Sequence, residues 1–487
     1  MSPSAEPFNK AKYKALMDGL ECTEILFSQL ERTSRLDSEF YKKKSLQITK
    51  LLKSISANPL TNLLEVSDGN HMGISNKFTD EGIPYYRGQD IHNFFIEDAS
   101  PICIDEDTFH NTYMLRSHLK KGDILLSIVG TIGKVSLVSK DNKATCNCKL
   151  AILRPYDIKE SALIAIYLKT KYGFDQVDKF KRGAVQMGYL LEDMNQILIP
   201  EFSNTFAETV AKAVEGIKTL TDSSTRQYSE AESYLIKEIG IDMSSITNGG
   251  VSIKSFSECF FIQNRIDSEF YQPKYDKIIE SIKKYDANTK SIDEISNYVF
   301  TGECADEYFT YKAGLCHYIR GTDIHEGIVD VDLEHAVEAE RHGKFVSTGD
   351  IVTGRVGTIG NFGVISEALN GSVCSDNVLC FHLPDNYLPD VYALYFNSPI
   401  IKELTKRISR GSVQQRLNQE TLRELIVPYI DENIQKEIDS KIKSSFVLKQ
   451  KSEKLLECAK TAVEMAIEQD GTIAVSWLKS KIDELTK

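Results

Sequence analysis

The sequence predicts an α+β protein: two tandem mixed α/β domains separated by a pair of long, coiled-coil-like helices, the halves forming a pseudo-two-fold internal repeat. Three observations predict it. Short motifs recur in one order about 230 residues apart, the signature of a duplicated unit. Each copy is rich in β-branched, glycine-punctuated runs of strand length. Each then passes into a segment whose apolar residues recur every three or four positions.

The repeat begins with RLDSEFY at Arg35 and RIDSEFY at Arg265, which agree at six of seven positions. RGQDIH from Arg87 returns as RGTDIH from Arg320, and GDIL from Gly122 as GDIV from Gly349. GTIG from Gly130 returns from Gly357, RGAVQ from Arg182 as RGSVQ from Arg410, and Ile199-Pro200 as Val427-Pro428. The predicted domains are 1–202 and 248–430, with helical segments over 203–247 and 431–487. The runs 124–138 and 350–365 read as strands that bend at glycines. Helices are expected over Ala162 to Lys171 and Leu388 to Asn397. RLDSEFY reads as a helix start, with Asp37 or Ser38 as the cap.

In the helical segments Phe206, Val210, Val214 and Ile217, then Tyr228, Ala231, Leu235 and Ile239, form one stripe. Ile434, Ile438, Ile442 and Phe446, then Leu455, Ala459, Val463 and Ile467, form the other. A narrow stripe of this kind suits helix-on-helix packing, and the two helices are expected to pair and hold two globular heads apart.

The 487 residues exceed the roughly 100–200 of one domain. With 41% hydrophobic and 26% charged residues the chain is of an ordinary folded composition. Lys and Arg number 58 against 70 Asp and Glu, a formal net charge of −12, which argues against bulk-charge coating of nucleic acid. The ten cysteines form no CxxC pair, and no zinc-finger or HExxH spacing occurs. The N-terminal MSPSAEPFNK lacks signal-peptide character and no run of about 18 apolar residues exists, so a cytoplasmic chain with reduced thiols is expected.

Catalytic signatures are missing. Gly133-Lys134 is followed by Val135 and Gly343-Lys344 by Phe345, so neither forms a nucleotide-binding loop. No Pro-Pro pair exists for a base methyltransferase tetrapeptide, and no GxSxG elbow occurs. Asp439-Ser440-Lys441 matches a nuclease tripeptide but lies in the proposed helix.

Local charge points elsewhere. From Lys169 to Gly188 five basic residues (Lys169, Lys171, Lys179, Lys181 and Arg182) face Asp175 and Asp178. From Asn397 to Arg416, Lys402, Lys406, Arg407, Arg410 and Arg416 face Glu403. Cations draw phosphates, and Gln or Arg can pair with purine edges. The candidate DNA contacts are Arg87, His92, Lys181, Arg182 and Gln186 in the first copy, and Arg320, His325, Arg410, Gln414 and Arg416 in the second. A turn with solvated cations is the competing reading of RGxVQ, and an internal pairing of the aspartate that of RGxDI.

Taken together, IPYYRGQDI, GDILLSIVGTIGKV and RGAVQ, with HYIRGTDI, GDIVTGRVGTIG and RGSVQQRL, resemble the specificity subunit of type I restriction-modification systems. The resemblance implies two target recognition domains, each reading half of a split double-stranded DNA target, and antiparallel spacer helices. It implies two methyltransferase subunits as partners, with restriction subunits joining for cleavage. No cofactor is then expected on this chain; S-adenosylmethionine, ATP and Mg2+ belong to the partners. Other readings are the same module in another methylation-based phage-defence system, a stand-alone nuclease, and a coiled-coil adaptor.

Overall fold

The computed structural model describes residues 8–21, 23–30, 35–183, 187–240, 251–262, 265–356, 359–409 and 416–487. They fall into two compact units, one of residues 1–221 with 449–487 and one of residues 222–448. Among the described residues no helix is long and apolar enough to cross a membrane.

In the first unit the main sheet runs in the order Leu64–Asp68, Leu150–Pro155, Ile124–Ser127, Val135–Leu137, antiparallel throughout. Ile124 to Leu126 and Leu150 to Leu153 are wholly buried, so these strands are apolar on both faces rather than alternating. A second sheet orders Phe78–Thr79, Ile102–Ile104, Ile83–Tyr86 and Thr145–Cys146, the last pair parallel. Leu198–Pro200 returns to pair antiparallel with Ala57–Pro59, which is the structural work of the closing Ile-Pro.

The second unit follows the same plan. Its main sheet orders Tyr298–Thr301, Val378–His382, Ile351–Gly354, Phe362–Val364 and Gly327–Ile328, and only the last pair is parallel. A three-stranded sheet orders Ala336–Val337, Cys316–Ile319 and Val373–Cys374. Ile426–Val427 pairs with Lys290–Ser291.

Helices follow each main sheet in pairs, where the sequence reading expected one. Ser161–Lys169 stops at Thr170, whose hydroxyl caps Lys171–Phe180 by accepting from the Gly173 N–H at 3.3 Å. Pro389–Asn397 stops at Ser398, which caps Pro399–Ile408 with a proline in the first turn.

Long helices span Asn204–Ile239 and Glu432–Glu468, followed by a shorter one at Gly471–Thr486. Within the first unit Phe206, Val210, Ala213, Ile217, Leu455, Ala459 and Val463 are buried, and the Thr221 and Ser452 hydroxyls meet at 2.8 Å. Within the second unit Ala231, Leu235, Ile438 and Ile442 are buried, and Ser224 donates to the Ser445 carbonyl at 2.9 Å. Small hydroxyl residues at these points let the helices approach closely, and the Thr221, Ser224, Ser445 and Ser452 hydroxyls each find a partner.

Candidate nucleic-acid interface

RxDSEFY is a clasp rather than a helix cap. Arg35 grips Asp37 through two hydrogen bonds of 2.9 and 2.7 Å. It also donates to the carbonyls of Phe180 and Lys181, at 3.2 and 3.0 Å, where the helix Lys171–Phe180 ends. Arg265 repeats this with Asp267 and the carbonyl of Arg407. A guanidinium suits the place because the last carbonyls of a helix lack partners and carry its negative dipole end. Its hydrogen bonds hold the Asp37 and Asp267 carboxyls below the ordinary carboxylate range. The α-helices that follow begin only at Lys43 and Pro273; SEFY of the second copy forms a single short 3-10 turn, Ser268–Tyr271, without a side-chain cap hydrogen bond, and neither Asp37 nor Ser38 caps a helix.

In RGxDI the aspartate turns back onto its own arginine. The Asp90 carboxylate is buried and accepts the Arg87 backbone N–H at 2.7 Å and the Arg87 guanidinium at 3.3 and 3.4 Å. Asp323 binds Arg320 in the same way at 2.8 to 3.1 Å. Arg320 is held further by Asp332 at 2.7 Å and lies 3.0 Å from His335 Nε2. His92 and His325 are exposed at the matching turns, and Lys134 Nζ lies 3.4 Å from His92 Nδ1.

In the first unit Arg182, the start of RGxVQ, opens a hairpin. Arg182 and Gly188 exchange backbone hydrogen bonds of 2.8 and 2.7 Å, and the Arg182 guanidinium reaches both oxygens of buried Asp193 at 2.8 and 2.6 Å. Lys181 pairs with Asp178 at 2.6 Å. Arg416 is exposed and bridges to Val356. Gln186, Arg410 and Gln414 lie outside the described residues.

The net charges of the two windows therefore do not measure an open basic patch. Lys171 is bound by Glu464 and Glu468, and Lys179 is buried over the Phe40 ring at 4.4 Å. Burial pushes the Lys169 ammonium down from its usual range. In the second unit Lys402 pairs with Glu326 and Lys406 with Glu403, and Arg407 lies over Phe270 at 4.4 Å. Arg182→Ala is expected to lower the first unit's stability by about 1.5–3 kcal/mol, the scale of a hydrogen bond to a charged group. Urea titration checks it; unchanged stability with weakened DNA binding would restore Arg182 as a contact.

The motifs nevertheless converge on one edge. In the first unit the Ile128 N–H donates to the Lys149 carbonyl at 2.9 Å, the Tyr189 N–H to the Ile128 carbonyl at 2.9 Å, and the Gly130 N–H to the Met187 carbonyl at 3.1 Å. Gly88 sits against this edge: a Cβ there would lie 3.4 Å from Lys149 Cβ. The end of the central strand thus gathers the RGxDI turn, the GTIG loop and the RGxVQ hairpin. In the second unit the Arg355 N–H donates to the Asn377 carbonyl at 2.8 Å, and the Leu417 N–H to the Arg355 carbonyl at 3.0 Å. Lys134 and Lys149 escaped the sequence reading because each is an isolated cation, not part of a charged run.

A family model described as the type I restriction modification DNA specificity domain matches residues 277–456. No curated protein sequence matches the chain. Among solved structures it is similar to a type I restriction-modification S subunit from M. genitalium, with 15% identity over 88% of this chain and 95% of that chain at a TM-score of 0.37. It is also similar to an HsdS subunit from Thermoanaerobacter tengcongensis, with 12% identity over 85% and 96% at a TM-score of 0.28. A structure titled for complex assembly and conformational transition of the type I R-M system gives 12% identity over 84% and 98%, also at 0.28. Residues 277–456 thus match the model of the type I restriction modification DNA specificity domain, and the first copy repeats the motifs of the second in the same order.

Proposed function

We propose that the chain reads a bipartite, asymmetric DNA target, one half through each copy, and performs no catalysis itself. The observation that carries this is the duplicated edge: the residue after the central strand, Ile128 or Arg355, makes the same two backbone hydrogen bonds in each unit, to Lys149 and Tyr189 or to Asn377 and Leu417, and the side chains around that edge differ between copies. Methyl transfer from S-adenosylmethionine and ATP- and Mg2+-dependent cleavage then belong to methyltransferase and restriction subunits. An overall charge of −12 fits a subunit that binds DNA weakly alone and tightly in its complex. Co-expression with the methyltransferase, followed by mapping of methylated motifs, should give two unlike half-motifs separated by a fixed gap. A single continuous motif counts against the reading, and magnesium-dependent cleavage by this chain alone counts against its non-catalytic role.

The helices Asn204–Ile239 and Glu432–Glu468 are proposed as the ruler for that gap. One turn advances a helix by about 5.4 Å, against about 3.4 Å per base pair. Deleting one turn from both helices should shorten the preferred gap by about one or two base pairs. An unchanged gap in the mapped motifs refutes the ruler.

A further inference from the structure

We propose that Lys149 and Asn377 are the matched base-reading residues of the two copies, Lys149 reading guanine and Asn377 reading adenine; this rests on the DNA-reading function above. Their equivalence is structural. Each gives its carbonyl to the N–H that ends the central strand, Ile128 at 2.9 Å in one unit and Arg355 at 2.8 Å in the other. Each of those residues in turn accepts from the backbone N–H of a residue that follows the RGxVQ segment in sequence, Tyr189 or Leu417. Both side chains are exposed beside the motifs. Of the cations around the first edge, Arg87, Lys181 and Arg182 are held by carboxylates, whereas Lys149 has no carboxylate partner among the described residues.

The change of residue type decides what this position does. Phosphates are the same under every sequence, so a phosphate-positioning site has reason to stay cationic in both copies. At these positions the charge is lost: Cys148-Lys149 in one copy is Asp376-Asn377 in the other, and Lys134 in the GTIG loop corresponds to Asn361, while the second copy's cations stand instead at Arg355 and Arg416, where the first has Ile128 and Gly188. A base-reading position changes with the base it reads. Lysine only donates, which matches the two acceptors O6 and N7 that guanine shows in the major groove. An asparagine amide both donates and accepts, which matches adenine N7 and N6. The Asn377 amide is already oriented at the rim, donating to Asp376 Oδ1 at 3.1 Å.

The test swaps the two residues in the full complex. Lys149→Asn and Asn377→Lys are expressed with the methyltransferase and methylated motifs are mapped. Each variant should change or relax one base in one half-motif, by about ten-fold or more in preference, and leave the other half unchanged. Lys149→Gln and Asn377→Gln serve as milder variants should a swap impair folding, with co-purification of the methyltransferase as the control. An unaltered motif overturns the proposal. So does a uniform loss of binding across sequences with the salt slope reduced by about one, which marks a phosphate contact. Wild-type complex without any bipartite motif would instead defeat the DNA-reading function itself.

Discussion

Arg154→Ala is expected to cost the first unit about 3–5 kcal/mol, the penalty for leaving a buried charge without its partner. Asp123 is 1% exposed; Arg154 grips both its oxygens at 2.7 Å while donating to the His118 carbonyl at 3.0 Å, and the Lys120 N–H also donates to the carboxylate at 2.7 Å. The pair sits between the neighbouring strands Ile124–Ser127 and Leu150–Pro155, so its loss strikes the centre of the main sheet. A loss of this size is a large fraction of a domain's stability. The only tryptophan, Trp477, belongs to the first unit, so its fluorescence in urea reports this unit selectively. The second unit supplies the comparison. Its matched Asp350 accepts from Tyr298 at 2.6 Å, the Ser347 N–H at 2.8 Å and the Cys380 thiol at 3.3 Å, and lies 2.7 Å from His382 Nδ1. With several donors sharing the load, no one of them is as indispensable as Arg154. A loss below about 1 kcal/mol for Arg154→Ala would show that water replaces the guanidinium.

Much of this was legible in the chain because local chemistry determines it. The strand runs around Leu125 and Val352, the closing Ile-Pro and Val-Pro, and the helical stretches from Asn204 and Glu432 all follow from spacing and turn residues. The site was harder because its ion pairs span long sequence distances. Lys171 lies almost three hundred residues from the Glu464 and Glu468 that neutralise it, so a sliding count of charge sees the lysine and not its partners. Arg35 reads as an ornament of a helix start because the carbonyls it clasps, at Phe180 and Lys181, belong to a helix far along the chain. The second helix of each pair was hidden for a different reason. Thr170 and Ser398 each end one helix and cap the next, and a break of a single residue barely disturbs apolar periodicity. Lys149 and Asn377 became visible only once backbone hydrogen bonds put them in one register.

That register depends on a close backbone approach at which only glycine fits, and Gly302→Ala is expected to break it. A Cβ at Gly302 would lie 2.2 Å from the Cys374 carbonyl oxygen and 2.3 Å from that of Ser375, distances no packed atoms tolerate. These contacts are with backbone, so no side-chain rotation relieves them. The strand must retreat, and two hydrogen bonds go with it: the Gly302 N–H to the Val378 carbonyl at 3.0 Å and the Glu303 N–H to the Cys374 carbonyl at 2.8 Å. The cost should reach or exceed about 3 kcal/mol, the upper end of ordinary overpacking. Because the segment displaced is the one that presents Asn377, methylation governed by the second half-target should fail before the chain unfolds globally. Hydrogen exchange over 378–382 reports the strand, and motif mapping reports the function. Gly343→Ala is the control in the same unit, since the nearest atom to its added Cβ is the Glu303 Oε1 at 3.9 Å. The first unit makes the same demand at Gly69, where a Cβ would meet the Asn147 carbonyl oxygen at 2.2 Å, so Gly69→Ala should disable the opposite half-target. If Gly302→Ala loosens the strand yet leaves both half-motifs intact, the edge beside Asn377 does not read DNA.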